Sequence, residues 1–242
     1  YNSDLSKIKV LVITQNNLAE SVKEKLTRNL DINYEIVQTV LMEEWQEDFL
    51  EKATFMAVDE VFIYTPELSQ QRVQEIIVQM RFIDSYATSF FREQSVRILV
   101  ENGIRVTAYG TGWDQCEWSE NPYLDYRGKV LAPEILPLMN DSKIVLNTMT
   151  WFKAGAHDRI FNGMLAGAAV VTDDSTYLRR EFTDGKELVM FSREELATLP
   201  ERVFGLFGHI QDAQQMADCG YRAAREHHTW KSRAEYIEEC FL

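Results

Sequence analysis

Trp151-Phe-Lys-Ala-Gly-Ala-His-Asp-Arg-Ile-Phe-Asn-Gly-Met-Leu-Ala-Gly-Ala-Ala-Val-Val-Thr-Asp-Asp174 decides how this chain is read. The stretch opens as a loop of small residues and continues as a short helix from about His157 to Ala166. A buried strand over Ala169 to Thr172 follows. Such a helix turns its unpaired N–H groups and the positive end of its dipole toward the loop, where Lys153, His157 and Arg159 stand close by. Backbone donors and fixed cations in one place are what an anion such as a diphosphate needs.

Working outward, the same alternation continues in both directions. Lys9 to Thr14 is a β-branched run, and apolar residues at helical spacing follow over Leu18 to Leu30. Tyr34 to Val40 and Glu60 to Tyr64 read as strands around a helix at Glu43 to Ala53. Few breakers interrupt residues 67 to 101, which predicts a long helix stopped by Asn102-Gly103. Further strands are expected at Ile104 to Tyr109, Tyr123 to Val130, Lys143 to Asn147 and Leu188 to Phe191. Helices are expected at Pro133 to Met139, Thr176 to Phe182, Glu194 to Phe207, Asp212 to His227 and Ser232 to Phe241. Strands separated by helices must pair in parallel, so the expected fold class is α/β, a doubly wound, mainly parallel Rossmann-like sheet with helices on both faces. Residues 1–242 read as a single Rossmann-like domain with a weak internal boundary near 66–70.

Composition excludes several classes. The 242 residues carry 38 acidic against 25 basic side chains, a formal charge of −13 that repels polyanions, so nucleic acid is not an expected partner. Cys116, Cys219 and Cys240 are scattered, without metal-ligand or disulfide spacing. No His pair has zinc spacing, and no metal is expected. No apolar run is long enough for a membrane span, and Tyr1 to Lys9 lacks the apolar core of a secretory signal, giving a cytoplasmic reading. The start at Tyr1 instead of Met reads as a trimmed chain.

The Arg-Ile-Phe-x-x-Met-Leu-Ala-Gly-Ala core at Arg159 with its Val-Val-Thr-Asp sequel resembles the donor-binding segment of retaining GT-B glycosyltransferases, in particular the CgeB-type spore-maturation branch. Matches follow in order at Tyr109-Gly-Thr-Gly-Trp113, Ser142-Lys-Ile-Val-Leu-Asn147, Phe182-Thr-Asp-Gly-Lys-Glu-Leu-Val189 and His228-Thr-Trp-Lys-Ser-Arg233. The resemblance is strongest over residues 80–242. It implies the donor-binding, C-terminal-type half of a nucleotide-diphosphate-sugar glycosyltransferase, transferring a hexose-type sugar, with retention, to an acceptor of unknown chemistry. A UDP-sugar is the favoured donor, no cofactor is held tightly, and the acceptor-binding domain lies outside this chain.

Within that resemblance Arg159, Lys153 and His157 are the candidate catalytic residues, since fixed cations stabilise a departing diphosphate without a metal. His157 has two open roles, a hydrogen bond to the ligand or packing at the helix start. Gly110, Gly112, Trp113, Gly155, Ala156, Asp158, Asn162, Thr172 and Asp173 are the candidate donor-binding residues. Trp113 would close the pocket wall or stack on a base or sugar, whereas Trp118 and Trp230 read as core anchors. His227 and His228, at a helix end, read as capping or packing residues whose protonated form the dipole favours. Ser175 or Asp174 reads as an N-cap.

Two positions depart from the family pattern. Asn162 stands where such transferases commonly carry a ribose-binding Glu, and Ala154, eight residues earlier, replaces a second acid. A neutral amide should grip hydroxyls less firmly than a carboxylate. A degenerate, non-catalytic domain serving as a binding or interaction module is therefore the alternative. A receiver or flavodoxin-type module is disfavoured because Gln15-Asn16-Asn17 supplies neither clustered acids nor a phosphate cradle.

Overall fold

The computed structural model describes residues 8–13, 88–149, 152, 154–193 and 195–241. The predicted elements between Leu18 and Tyr64, the larger part of the long helix, the boundary at 66–70 and Lys153 lie outside the described residues. The chain divides into two compact units, Tyr1–Gln15 with Ser95–Leu242, and Asn16–Gln94. The sheet belongs to the first.

Among the described residues six strands form that sheet: β1 (Ile8–Ile13), β2 (Val106–Tyr109), β3 (Leu124–Tyr126), β4 (Ser142–Asn147), β5 (Ala169–Asp173) and β6 (Val189–Phe191). Their order is β3-β2-β1-β4-β5-β6, and every neighbouring pair is parallel. This is the doubly wound arrangement expected from the alternation, with helices on both faces. Two halves diverge from a central pair, β1 and β4, which places the switch point of the topology between them. The interior strands are rich in β-branched residues; β5 is buried at all five positions, as a strand covered on both faces should be.

The helices among the described residues are α1 (88–101), α2 (Ala132–Asn140), α3 (Asp158–Leu165), α4 (Thr176–Glu181), α5 (Leu199–Gly208), α6 (Ile210–His227) and α7 (Trp230–Phe241). Pro133 opens α2, where its missing N–H costs nothing, and the Glu134 side chain accepts from the Leu131 amide at 3.0 Å. Ile160, Gly163 and Met164 turn the inner face of α3 onto the sheet. Ile160 and Met164 are wholly buried, each contributing about 1.5–3 kcal/mol by leaving water. Gly163 allows the close approach: a Cβ there would stand 3.0 Å from Val170 Cγ2 and 3.4 Å from Val145 Cβ. Any larger residue would push α3 away from β4 and β5, and its first turn away from the strand ends.

The core around α3 gathers Met149, Ile160, Met164, Val170, Leu178, Phe182, Leu188, Met190 and Ala224. A smaller cluster joins Met139 of α2 to Val145, Ala166 and Ala168. At the β6 edge Asp184 accepts from the Met190 amide at 2.7 Å, and Arg202 of α5 bonds both Asp184 at 2.9 Å and the Met190 carbonyl at 2.6 Å. These bonds occupy edge groups that would otherwise be open to another strand.

Two differences from the sequence reading stand out. The helix foreseen over Glu194 to Phe207 is a 3-10 turn, Leu196–Thr198, followed by α5, because Pro200 has no N–H to continue the earlier turn. Trp230, read as a core anchor, is 90% exposed. The bonds that start α7 are made by Thr229 and Ser232, and Arg233 ties the helix to Tyr177 at 2.7 Å, leaving the indole on the outer side.

Candidate functional site

In an open parallel sheet the strands end together, and the loops leaving their C-terminal ends enclose a crevice. Here β4 ends at Asn147 and β5 at Asp173, and the described residues between β4 and α3, 148–149, 152 and 154–157, belong to no helix or strand. Two of these residues, Met149 and Gly155, are held by β5 and the start of α4. The Met149 amide donates to Asp173 Oδ1 at 2.7 Å, and Ser175 Oγ donates to the Gly155 carbonyl at 2.6 Å. Ser175 also caps α4, accepting from the Leu178 amide at 3.1 Å. One hydroxyl thus fixes the start of α4 and the turn before α3 together.

His157 is the N-cap of α3. Its Nδ1 lies 3.1 Å from the Arg159 amide and 2.6 Å from Asp158 Oδ1. A ring nitrogen without a proton accepts from the amide, whereas one carrying a proton donates to the carboxylate, so the two contacts belong to different protonation states. The ring also meets Phe152 edge-on, with centroids 5.9 Å apart. Phe152 is exposed at the rim. The N-cap contact places His157 at the start of α3.

Arg159, in the first turn of α3, sends its side chain back toward the strand ends. Its Nη1 donates to Asn147 Oδ1 at 2.9 Å. Burial pulls the guanidinium pKa down and the nearby Asp158 charge pulls it up, but a guanidinium so far above neutrality stays charged. Among the described residues no carboxylate lies within ion-pair distance of it; Asp158, largely exposed, acts on it only through its charge. The result is a partly buried cation, oriented by a neutral amide, next to the first turn of a helix.

The remaining candidates separate into groups. Gly155, Ala156, His157, Asp158 and Arg159 come together as the loop and first turn of α3, with Asn162 one turn further along the helix. Thr172 and Asp173 lie beneath them at the end of β5, 0% and 1% exposed and engaged with protein partners. Burial raises the Asp173 carboxyl to about 7, against the opposing pull of the Met149 amide and Arg193. Gly110 and Gly112 shape a separate loop after β2, with φ of 128° and 93°, conformations that glycine tolerates best. Trp113 follows as a wholly buried side chain, packed edge-on against Trp118 with centroids 6.1 Å apart, so neither ring face is open to a ligand. Among the described residues no group of three or more His, Cys, Asp or Glu is gathered as a metal would need.

His228 packs as foreseen, but not protonated. It stacks on Phe161 at 4.9 Å, and burial together with the neighbouring Arg233 charge pushes its pKa down to about 4. Those local groups outweigh the helix dipole.

Sequence reasoning passed over Asn147 as the mere end of a strand. The signal available was a polar residue closing an otherwise apolar run, Ile144-Val-Leu-Asn147, at the end of the strand where ligands bind. Ser175 was legible as a cap but not as the tether of the loop before α3, because Gly155 is distant in sequence.

The glycosyl transferase-like family model matches residues 89–239, more than half of the chain. The chain belongs to the glycosyl transferase-like family. Its fold is that of GT-B glycosyltransferases, in the form of their C-terminal domain. The crystal structure of TarM superposes with a TM-score of 0.50 at 11% identity, covering 98% of this chain and 36% of TarM. A mutant form of S. aureus TarM, in complex with UDP among other ligands, matches with a TM-score of 0.50 at 14% identity over 62% of this chain and 31% of its own. HepE of Anabaena, in complex with UDP-glucose, also gives 0.50, at 12% identity over 96% of this chain and 99% of its own. This glycosyl transferase-like chain therefore spans about a third of TarM. No curated protein sequence is close enough to count as a match. Among the described residues no helix of the chain is long and apolar enough to cross a membrane.

Proposed function

We propose that the chain is the donor-binding half of a glycosyltransferase of the CgeB type, taking a nucleotide-diphosphate sugar and passing its hexose-type sugar, with retention, to an acceptor held by a further domain. The observation that carries this is the Arg159 guanidinium, fixed at the strand ends beside the first turn of α3 with no carboxylate among the described residues in ion-pair contact with it. Lys153, two residues before Gly155, would add a second cation from the loop. Charge developing on the departing diphosphate would be met by these groups and by amides after Gly155, with no metal needed. His157 would hold the helix start, and Asn162, one turn on, would meet the ribose. UDP is the favoured nucleotide because structural neighbours contain UDP or UDP-glucose.

The second reading is a binding module that has lost transfer, favoured by Ala154 and Asn162 at positions where the resembling family carries acids. Calorimetric titration with a panel of sugar nucleotides tests the shared claim. UDP-sugar binding is expected, weakened about tenfold to a hundredfold by Arg159→Ala, as loss of a charge-assisted contact of roughly 1.5–3 kcal/mol requires. No heat with any donor, or an unchanged affinity in the variant, contradicts it. Sugar transfer by the protein with its acceptor domain separates an active enzyme from a binding module.

A further inference from the structure

Asn147 is wholly buried at the end of β4, and its amide faces two elements at once. Oδ1 accepts from Arg159 at 2.9 Å on one side; Nδ2 donates to Thr172 Oγ1 at 2.9 Å on the other. The Thr172 hydroxyl donates in turn to the Asp173 carbonyl at 3.1 Å. Donor logic fixes every direction in this chain. A guanidinium only donates, so the amide oxygen must face it; the amide nitrogen then faces Thr172, which accepts and uses its own proton on the carbonyl.

The choice of an amide has an electrostatic consequence. An aspartate at 147 would hold Arg159 equally well, but it would pair with the guanidinium and cancel the charge that an anion needs. The amide orients without neutralising. With one N–H taken by Asn147, the other guanidinium donors have no protein acceptor among the described residues. A long flexible side chain that is already ordered loses less entropy when a ligand arrives.

The geometry points to Asn147 as a positioning residue that acts through Arg159, presenting the cation to a diphosphate while leaving its charge intact. This rests on the anion-binding reading above. It differs from a simple stitch between β4 and β5, which needs only the Nδ2 donation to Thr172 and would leave the Arg159 contact without a role in anion binding.

Calorimetric titration of the full chain with UDP, alongside thermal unfolding, tests it on Asn147→Ala, Asn147→Asp, Arg159→Ala and the Asn147→Ala/Arg159→Ala pair. Asn147→Ala is expected to weaken UDP about tenfold, and the double variant to bind no more weakly than Arg159→Ala alone. Asn147→Asp is expected to weaken UDP at least as much as Asn147→Ala while remaining folded. Additive losses in the double variant, unchanged affinity in Asn147→Ala, or wild-type affinity in Asn147→Asp would each overturn the assignment. If the alanine variant does not fold, the nearly isosteric Asn147→Asp decides alone. Failure of the underlying reading is distinct: the wild type takes no UDP, or Arg159→Ala binds it as the wild type does.

Discussion

At the scale of single residues, Asp173 is the most informative titratable group. It accepts from the Met149 amide at 2.7 Å, and burial raises its carboxyl from 3.8 to about 7. A raised carboxyl means the folded protein keeps a proton that the unfolded chain gives up. The stability it contributes is therefore complete below about pH 4 and is lost as pH rises through about 7. At about 1.4 kcal/mol per unit this amounts to no more than roughly 4 kcal/mol. His228 acts in the opposite sense: its pKa, lowered from 6.5 to about 4, gives stability present above 6.5 and lost as pH falls through 4. The two windows overlap, so a raw pH profile would blur them. Asp173→Asn keeps an acceptor for Met149 and removes the ionisation. Urea denaturation at pH 5 and pH 8 should show the wild type losing stability relative to the variant at the higher pH. Parallel profiles for the two proteins would mean that Asp173 is already ionised at pH 5.

At the scale of elements, small residues decide how closely the helices lie. Gly→Ala inside a helix ordinarily gains up to about 1 kcal/mol. Gly220 of α6 should behave otherwise, because a Cβ there would stand 2.5 Å from the Glu187 carbonyl oxygen and 3.3 Å from Met164 Cγ. A backbone oxygen cannot swing aside as a side chain can. Gly220→Ala is expected to destabilise by about 1–3 kcal/mol in urea unfolding, in line with overpacking; a gain in stability would show that α6 and the 183–187 loop separate easily. The elements themselves were largely legible. Hydrophobic runs such as Val170-Val171 and Ile144-Val-Leu146 fixed strands β4 and β5, and Ile160 with Met164 fixed the inner face of α3, because burial imposes its period directly on sequence. Side chains that bridge elements were harder to read. Asn147 reaches Arg159, and Ser175 reaches Gly155, across distances in sequence that no local pattern encodes. Trp230 misled because a large aromatic usually lies buried, yet its burial depends on a neighbour that the described residues do not supply.

At the scale of the molecule, the parallel order β3-β2-β1-β4-β5-β6 brings the C-terminal ends of β4 and β5 beside the start of α3. The sequence reading located this mouth from one loop and one helix; the sheet supplies the reason, since the switch between β1 and β4 opens a crevice on that side. A single cation oriented there by an amide is a small device, and its value depends on what fills the crevice. A crystal structure of the protein soaked with UDP tests this most directly. The account predicts the diphosphate within hydrogen-bond distance of the Arg159 guanidinium and the first-turn amides of α3, with the Asn147 contact retained. A diphosphate bound elsewhere, or UDP absent at saturating concentration, would contradict it.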